Sequence, residues 1–221
     1  MTKRTIYFYG DSNTWGWTPG GGRIPAAGRF VSVAAAHVPD SDFVANGLNG
    51  RNAAFECPDV DPIYNGGATF AAAFKRELPV SALVLMLGTN DVMPPLDMTA
   101  EAIGENLRRI IREARALAGA KLPILLVSPP PPSTVGVDEL AANWGSDRAI
   151  VGRNLAPALR QVAREEGVAF VDGSAAQPTM DSTDGFHLTH IAHRRVGVAI
   201  GQALQRLLGC APTPRTSASR L

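Results

Sequence analysis

Short apolar runs alternate with longer amphipathic segments along most of the chain. The apolar runs are rich in aliphatic, aromatic and β-branched residues and stop at glycine, asparagine, serine or aspartate, which is typical of buried strands. The predicted strands are 6–9, 42–45, 82–87, 123–127 and 168–171. The amphipathic segments predict helices over 30–38, 68–78, 99–118, 155–166 and 189–208.

The alternation of strand and helix predicts an α/β fold. The segment 99–118 places its apolar residues at helical spacing, with arginine and glutamate on the other face. The run 82–87 is continuously apolar, as expected of a strand covered on both faces. The order therefore predicts a five-stranded parallel sheet with helices on both faces. No linker divides the chain, so we predict a single domain over 1–209 and a flexible tail over 210–221.

The composition argues against several classes of protein but does not identify the function. Of 221 residues, 45% are hydrophobic and 19% charged, and the net charge of +1 gives no reason to expect nucleic acid as a partner. Cys57 and Cys210 are too few and too distant to predict a disulfide framework. The glycines at 20–22 lack the Gly-Lys-Ser/Thr of a phosphate-binding loop, and we predict no cofactor. Because no run of about 18 apolar residues occurs, we expect no membrane insertion and a cytoplasmic protein.

Three of the predicted strands end on polar residues. The first ends at Gly10-Asp11-Ser12, the second at Asn46-Gly47, and the third at 88–91, which reads Gly-Thr-Asn-Asp. The carboxyl ends of parallel strands meet at one edge of a sheet, where ligands of α/β proteins bind. We therefore expect these residues to be neighbours in space. A fourth polar cluster, Asp-Gly-Phe-His at 184–187, precedes the last helix.

These residue types match the needs of a serine hydrolase. Such an enzyme requires a nucleophile, a base that takes its proton, an acid that orients the base, and donors for the oxyanion. Ser12 supplies a nucleophile, His187 a base, and Asp184 a carboxylate three residues earlier. The N–H groups of Ser12 and Gly47 and the amide of Asn90 supply oxyanion donors. Gly47 suits that role because it has no side chain to keep a substrate from the backbone.

Each residue also has a simpler interpretation. Glycine, asparagine and aspartate are common turn formers, and any one of these blocks alone would be a turn. His187, His190 and His193 resemble a metal cluster, but their spacing spreads them around a helix and no carboxylate or thiolate lies at zinc spacing beside them. We therefore predict no metal, with His190 and His193 facing solvent. All four blocks occur in order on the predicted strand ends, which favours catalysis.

The same blocks resemble the SGNH (GDSL-like) hydrolases, in particular their bacterial arylesterase/acyltransferase branch. The matching stretches are Gly-Asp-Ser-Asn-Thr-Trp-Gly-Trp at 10–17, Gly-Leu-Asn-Gly-Arg at 47–51, Met-Leu-Gly-Thr-Asn-Asp at 86–91, Val-Ser-Pro-Pro-Pro at 127–131 and Asp-x-x-His at 184–187. The resemblance implies a flavodoxin-like three-layer α/β/α sandwich. It also implies a homo-oligomer by analogy with the family.

Carried over residue by residue, the resemblance implies a triad of Ser12, His187 and Asp184, and an oxyanion hole of Ser12, Gly47 and Asn90. One departure is Asn13, where many relatives carry leucine, and this residue would form part of the wall beside the nucleophile. Trp15 and Trp17 would line an apolar entrance, as would the proline loop after 128, or else belong to the core. The loop from Pro131 to Ser146, with Trp144, matches no pattern of the family.

The sequence thus predicts a serine esterase that hydrolyses short-chain aryl or alkyl carboxylic esters. The branch also implies acyl transfer to an alcohol or to hydrogen peroxide, as in an acyltransferase or perhydrolase. Three alternatives remain open. They are a carbohydrate O-acetylesterase with the same triad, a metal-dependent phosphoesterase using Asp11, Asn90 and His187, and a non-catalytic binding protein. The natural substrate and the acyl chain length do not follow from the sequence.

Overall fold

The computed structural model of the chain describes residues 3–133 and 146–210. The strands in this part are β1 (Arg4–Gly10), β2 (Trp17–Thr18), β3 (Gly22–Arg23), β4 (Ser41–Gly47), β5 (Ala82–Met86), β6 (Ile124–Ser128) and β7 (Ala169–Asp172). The helices are α1 (Ser12–Trp15), α2 (Phe30–Ala35), α3 (Gly66–Lys75), α4 (Ala100–Ala118), α5 (Ser146–Glu166) and α6 (His190–Leu207). Short 3₁₀ helices lie at Ala26–Gly28, Pro62–Tyr64 and Gly173–Ala176.

Five parallel strands form the central sheet in the order β4-β1-β5-β6-β7. Counted along the chain, this is the 2-1-3-4-5 order of a flavodoxin-like sheet, and the predicted fold is confirmed. The order reverses between β1 and β5, which is the switch point where ligands bind in such sheets. At that edge Gly10 pairs with Gly47 on one side and with Met86 on the other.

The alternation of side chains along β1 divides the core into two layers. Tyr7 and Tyr9 pack with residues of α3, α4 and α5, whereas Ile6 and Phe8 pack with residues of α2 and α6. All residues of β5 and β6 are buried, which confirms that these strands are covered on both faces. Of the described helices, none is both long and apolar enough to cross a membrane.

The sequence located most elements within a few residues, but two features differ. The helix predicted over 155–166 begins at Ser146, so Pro157 lies inside the helix and not in its first turn. Residues 146–154 are mostly polar and carry no clear apolar stripe, which is why their helix was missed. The two-residue strands β2 and β3, which pair as a hairpin, are too short to give a periodic signal. The segments 134–145, with Trp144, and 211–221, most of the predicted tail, lie outside the described residues.

Candidate active site

Ser12 lies where β1 turns sharply into α1. The carboxylate of Asp11 caps this short helix by accepting a hydrogen bond of 2.9 Å from the N–H of Asn13. A Cβ at Gly10 would lie 2.1 Å from Thr14 Oγ1 and 2.7 Å from the carbonyl oxygen of Met86, so the turn requires glycine there. This local structure holds Ser12 at the carboxyl edge of the sheet with 7% of its surface exposed.

His187 and Asp184 reach Ser12 from the loop that precedes α6. His187 Nε2 lies 2.9 Å from Ser12 Oγ, and His187 Nδ1 lies 2.6 Å from Asp184 Oδ2. The other carboxylate oxygen of Asp184 accepts hydrogen bonds from the N–H groups of Phe186 and His187, each at 3.0 Å. The three side chains therefore form a continuous line from hydroxyl to imidazole to carboxylate, as expected from the sequence.

The surroundings of Asp184 favour its charged form. Burial alone would raise the pKa of this carboxyl. The hydrogen bonds from the His187 side chain and from the two backbone N–H groups outweigh burial, so the pKa lies below its ordinary value. An ionised Asp184 accepts a hydrogen bond from the Nδ1–H group of His187, which leaves Nε2 as the acceptor that faces the Ser12 hydroxyl.

Gly47 and Asn90 are the other predicted oxyanion donors. Gly47 ends β4, and Asn90 lies in the turn that follows β5, on the other side of β1. The Asn90 side-chain amide donates to the carbonyl oxygen of Arg51 at 2.8 Å, which uses one of its two N–H protons. A Cβ at Gly47 would lie 2.2 Å from the backbone nitrogen of Trp15. Glycine is thus required so that α1 can lie against β4, which differs from the substrate-approach reason expected from the sequence.

Arg51, for which the sequence predicted no role, ties the ends of β1 and β4 together. Its guanidinium donates to the carbonyl oxygens of Gly10 and Asn46 and to the Asn46 side chain, at 2.6 to 2.9 Å. It also lies 4.1 Å from the centre of the Tyr9 ring. A signal was present, because Arg51 belongs to the Gly-Leu-Asn-Gly-Arg block that follows the second predicted strand.

Two carboxyl groups, Asp11 and Asp91, are fully buried beneath the site. Asp91 Oδ1 accepts a hydrogen bond of 2.7 Å from the N–H of Ala53 and so anchors the loop after β4. Burial raises the pKa of both groups, and with the neighbouring charge of Asp11 the pKa of Asp91 rises to about 7. The sequence pattern did not reveal that either residue is buried.

The predicted pocket residues take different positions. Trp15 and Trp17 are half-buried with ring centres 6.1 Å apart, and the Trp17 ring lies 6.1 Å from the His187 ring. The guanidinium of Arg23 covers Trp15 at 4.3 Å. Asn13, in contrast, is 2% exposed and bonds to backbone groups on either side of His187. It therefore does not form the wall of a pocket.

The loop after β6 borders a cavity of about 540 Å³ next to the loop that carries Asp184. Pro130, Pro131 and Pro132 line one side of it, so the prolines do form a mainly apolar surface. Ser12 and His187 are not among its lining residues. The proline loop is therefore adjacent to the site, and it does not enclose the nucleophile within the described residues.

The prediction that His193 faces solvent is wrong, whereas His190 is exposed as expected. His193 is fully buried, stacks on Phe30, and accepts a hydrogen bond of 3.2 Å from the Phe30 N–H. It lies on the same stripe of α6 as Val196 and Ile200, which faces α2. Burial, with the charges of His190, Arg29 and His187, lowers its pKa to about 4.

Among the described residues, no group of three or more potential ligands is placed to hold a metal ion.

Comparison with known proteins places the chain in a family. Residues 8–195 match the model of the GDSL-like lipase/acylhydrolase family. Among solved structures, a carbohydrate acetylesterase family member from Sinorhizobium meliloti is 30% identical, with a TM-score of 0.84 over 93% of this chain and 99% of that one. The carbohydrate acetylesterase Est24 from the same organism is 25% identical, with a TM-score of 0.82 over 93% of this chain and 100% of that one.

The native aryl esterase of M. smegmatis is also similar, at 25% identity and a TM-score of 0.81 over 92% of this chain and 99% of that one. No curated protein sequence gives a significant match. The resemblance inferred from the sequence motifs is therefore confirmed by the family model and by the solved structures. The chain belongs to the GDSL-like lipase/acylhydrolase family, and it is a hydrolase of the esterase type found there.

Proposed function

We propose that this protein is a serine esterase that cleaves short-chain carboxylic esters through an acyl-enzyme. The observation that carries the proposal is the line of Ser12 Oγ, His187 and Asp184, with distances of 2.9 and 2.6 Å between partners. Such a line raises the nucleophilicity of a serine, because the imidazole accepts its proton while the carboxylate stabilises the imidazolium. The similarity to esterases and acetylesterases supports the same reaction class.

In the proposed acylation step, Ser12 Oγ attacks the ester carbonyl carbon and His187 Nε2 takes the hydroxyl proton. The carbonyl oxygen becomes an oxyanion, for which the N–H groups of Ser12 and Gly47 and the Asn90 amide are the proposed donors. The C–O bond to the alcohol then breaks, and the alcohol leaves with the proton from His187. The products of this step are the free alcohol and an ester of Ser12.

In the proposed deacylation step, His187 takes a proton from water, and the resulting nucleophile attacks the acyl carbon. Collapse of the intermediate releases the carboxylic acid and returns the proton to Ser12. An alcohol or hydrogen peroxide in place of water gives an ester or a peracid, which is the acyltransferase activity that we propose as secondary. The Trp17 ring beside His187 supports this addition, because an apolar surface disfavours water.

A carbohydrate O-acetylesterase is the second candidate, and it uses the same catalytic steps. The carbohydrate acetylesterase family member from Sinorhizobium meliloti, at 30% identity, favours it. The two candidates differ in the alcohol that leaves, which is an aryl or alkyl alcohol in one and a sugar hydroxyl in the other. A panel of p-nitrophenyl esters of rising acyl length, run beside an acetylated oligosaccharide and with or without an alcohol acceptor, separates them by kcat/KM.

The proposal is tested by the Ser12→Ala variant with p-nitrophenyl acetate as substrate. We expect kcat to fall by at least about 1,000-fold, because the nucleophile is lost. Ser81→Ala is the matched control, since Ser81 lies just before β5, at the amino ends of the parallel strands and away from Ser12. This variant should turn over the substrate at the wild-type rate. Normal turnover by Ser12→Ala would contradict the proposal. Hydrolysis of p-nitrophenyl phosphate that is lost on chelation would instead favour a metal-dependent phosphoesterase.

A further inference from the structure

Asn13, the residue directly after Ser12, holds the chain on both sides of His187. Its Nδ2 donates to the carbonyl oxygen of Phe186 at 3.2 Å, and its Oδ1 accepts from the N–H of Leu188 at 2.9 Å. The two backbone partners fix the orientation of the amide, since one is an acceptor and the other a donor. One side chain thus connects the segment that carries Ser12 to the peptide groups that flank His187.

The remaining polar groups of these two peptide units bond within the loop itself. The N–H of His187 donates to Asp184 Oδ1 at 3.0 Å, and the carbonyl oxygen of His187 accepts from the N–H of Asp181 at 2.7 Å. All four polar groups around the His187 Cα are therefore bonded. The bonds to Asp181 and Asp184 shape the loop, whereas the bonds to Asn13 fix the loop relative to Ser12.

We infer that Asn13 is a positioning residue that sets the distance between Ser12 Oγ and His187 Nε2. The inference rests on the proposed esterase function, because that function gives the distance its importance. The carboxamide is needed for both bonds at once. Leucine, the fourth residue of the Gly-Asp-Ser-Leu pattern after which the family is named, can make neither bond, and an ionised aspartate can only accept. Asn13 thus supplies a link that leucine at this position could not.

The link is also placed where small movements matter. Asn13 is 2% exposed and His187 is 7% exposed, so water has little access to replace the two bonds. Without them, the Phe186 carbonyl and the Leu188 N–H lose these two bonds to Asn13, and the loop can draw away from α1. A shift of about 1 Å between reacting groups lowers rates by as much as about 100-fold.

The test uses Asn13→Leu, with Asn13→Ala as a second variant that introduces no bulk. We expect kcat for p-nitrophenyl acetate to fall about 10- to 100-fold in both, with KM within about threefold of wild type. Asn106→Leu is the matched control, since Asn106 lies on α4 and its amide contacts the sulfur of Met98; it should have a normal kcat. Thermal unfolding of each variant confirms that the fold is retained.

A double-mutant cycle with His187→Ala shows whether Asn13 acts through the histidine. If it does, adding Asn13→Leu to His187→Ala leaves the residual rate unchanged. The same fold loss in both backgrounds would overturn the inference, because Asn13 would then act on Ser12 or on the fold as a whole. A normal kcat in both Asn13 variants, with Ser12→Ala inactive, would also overturn it and leave the proposed function standing. Full turnover by Ser12→Ala would overturn the function and the inference together.

Discussion

Replacing Gly47 with alanine should move the nucleophile. The added Cβ would lie 2.2 Å from the backbone nitrogen of Trp15 and 2.7 Å from the carbonyl carbon of Thr14. Both atoms belong to the backbone at the end of α1, so a rotation of a side chain cannot relieve the clash. The helix that begins at Ser12 must therefore move away from β4, and Ser12 moves away from the oxyanion donors proposed at Gly47 and Asn90.

The size of the effect follows from these distances. An ordinary contact of a Cβ begins at about 3.4 Å, so α1 must move by about 1 Å. Overpacking of this kind costs about 1–3 kcal/mol of unfolding free energy. A misplacement of about 1 Å at a reacting group lowers kcat by about 100-fold. We therefore expect Gly47→Ala to fold with reduced stability and to lose most of its turnover.

The assay combines p-nitrophenyl acetate turnover with urea unfolding followed by tryptophan fluorescence. Gly104→Ala is the matched control, because its Cβ would lie 3.2 Å from Val162 Cγ2, a contact that a shift of a few tenths of an ångström relieves. In the interior of α4, alanine is favoured over glycine by about 1 kcal/mol. The control variant should have normal kcat and little change in stability. A Gly47→Ala variant with wild-type kcat and wild-type stability would refute the packing argument.

Three further predictions concern the charged groups. Asp184→Asn should lower kcat by about 100- to 10,000-fold, and a normal kcat would contradict the role of the carboxylate. Because the pKa of Asp184 is lowered in the folded state, the unfolding free energy of wild type should also decrease as the pH falls below about 4. Acid titrations of unfolding should show a smaller decrease in the variant. Burial raises the pKa of Asp91 to about 7, so this group keeps its proton to a higher pH in the folded state than in the unfolded state. As the pH rises from 4 to 7, the unfolding free energy should therefore fall by at most about 4 kcal/mol in wild type and by less in Asp91→Asn. Equal urea unfolding profiles at pH 5 and pH 8 would contradict this. Glu166→Gln should cost about 1 kcal/mol of unfolding free energy with no loss of kcat, because Glu166 on α5 pairs with Arg108 and Arg112 on α4 at 3.3 and 2.7 Å. Glu56→Gln, at an exposed loop position, should leave the urea midpoint unchanged, and equal midpoints for the two variants would argue against the ion pairs of Glu166.

The sheet was predictable because its strands give strong local signals. The continuous apolar run at 82–87 and the alternation with amphipathic helices determine a parallel sheet covered on both faces. The start of α5 was not predictable, because residues 146–154 carry no apolar stripe and Pro157 is a helix breaker in most sequences. The helix α5 packs against α4, and a contact between distant segments of the chain does not show in a local sequence pattern.

The line of Ser12, His187 and Asp184 was accessible from the sequence because each residue type has a distinct chemistry and a strand-end position. The contacts around this line were not accessible, since they depend on burial and on neighbours far apart in the chain. His193 was expected at the surface and is buried against Phe30, and Asn13 was expected in the pocket and bonds to the loop of His187. Both residues are polar side chains at positions whose burial a single sequence does not reveal.

Covalent labelling shows whether Ser12 is the nucleophile. The protein is treated with an aryl dialkyl phosphate, and turnover of p-nitrophenyl acetate is followed alongside intact-mass spectrometry and peptide mapping. We expect a single phosphoryl adduct on Ser12 that forms at the same rate as turnover is lost, and no adduct in Ser12→Ala. Full turnover by protein that carries the adduct on Ser12, or loss of turnover with the adduct on another residue, would contradict it.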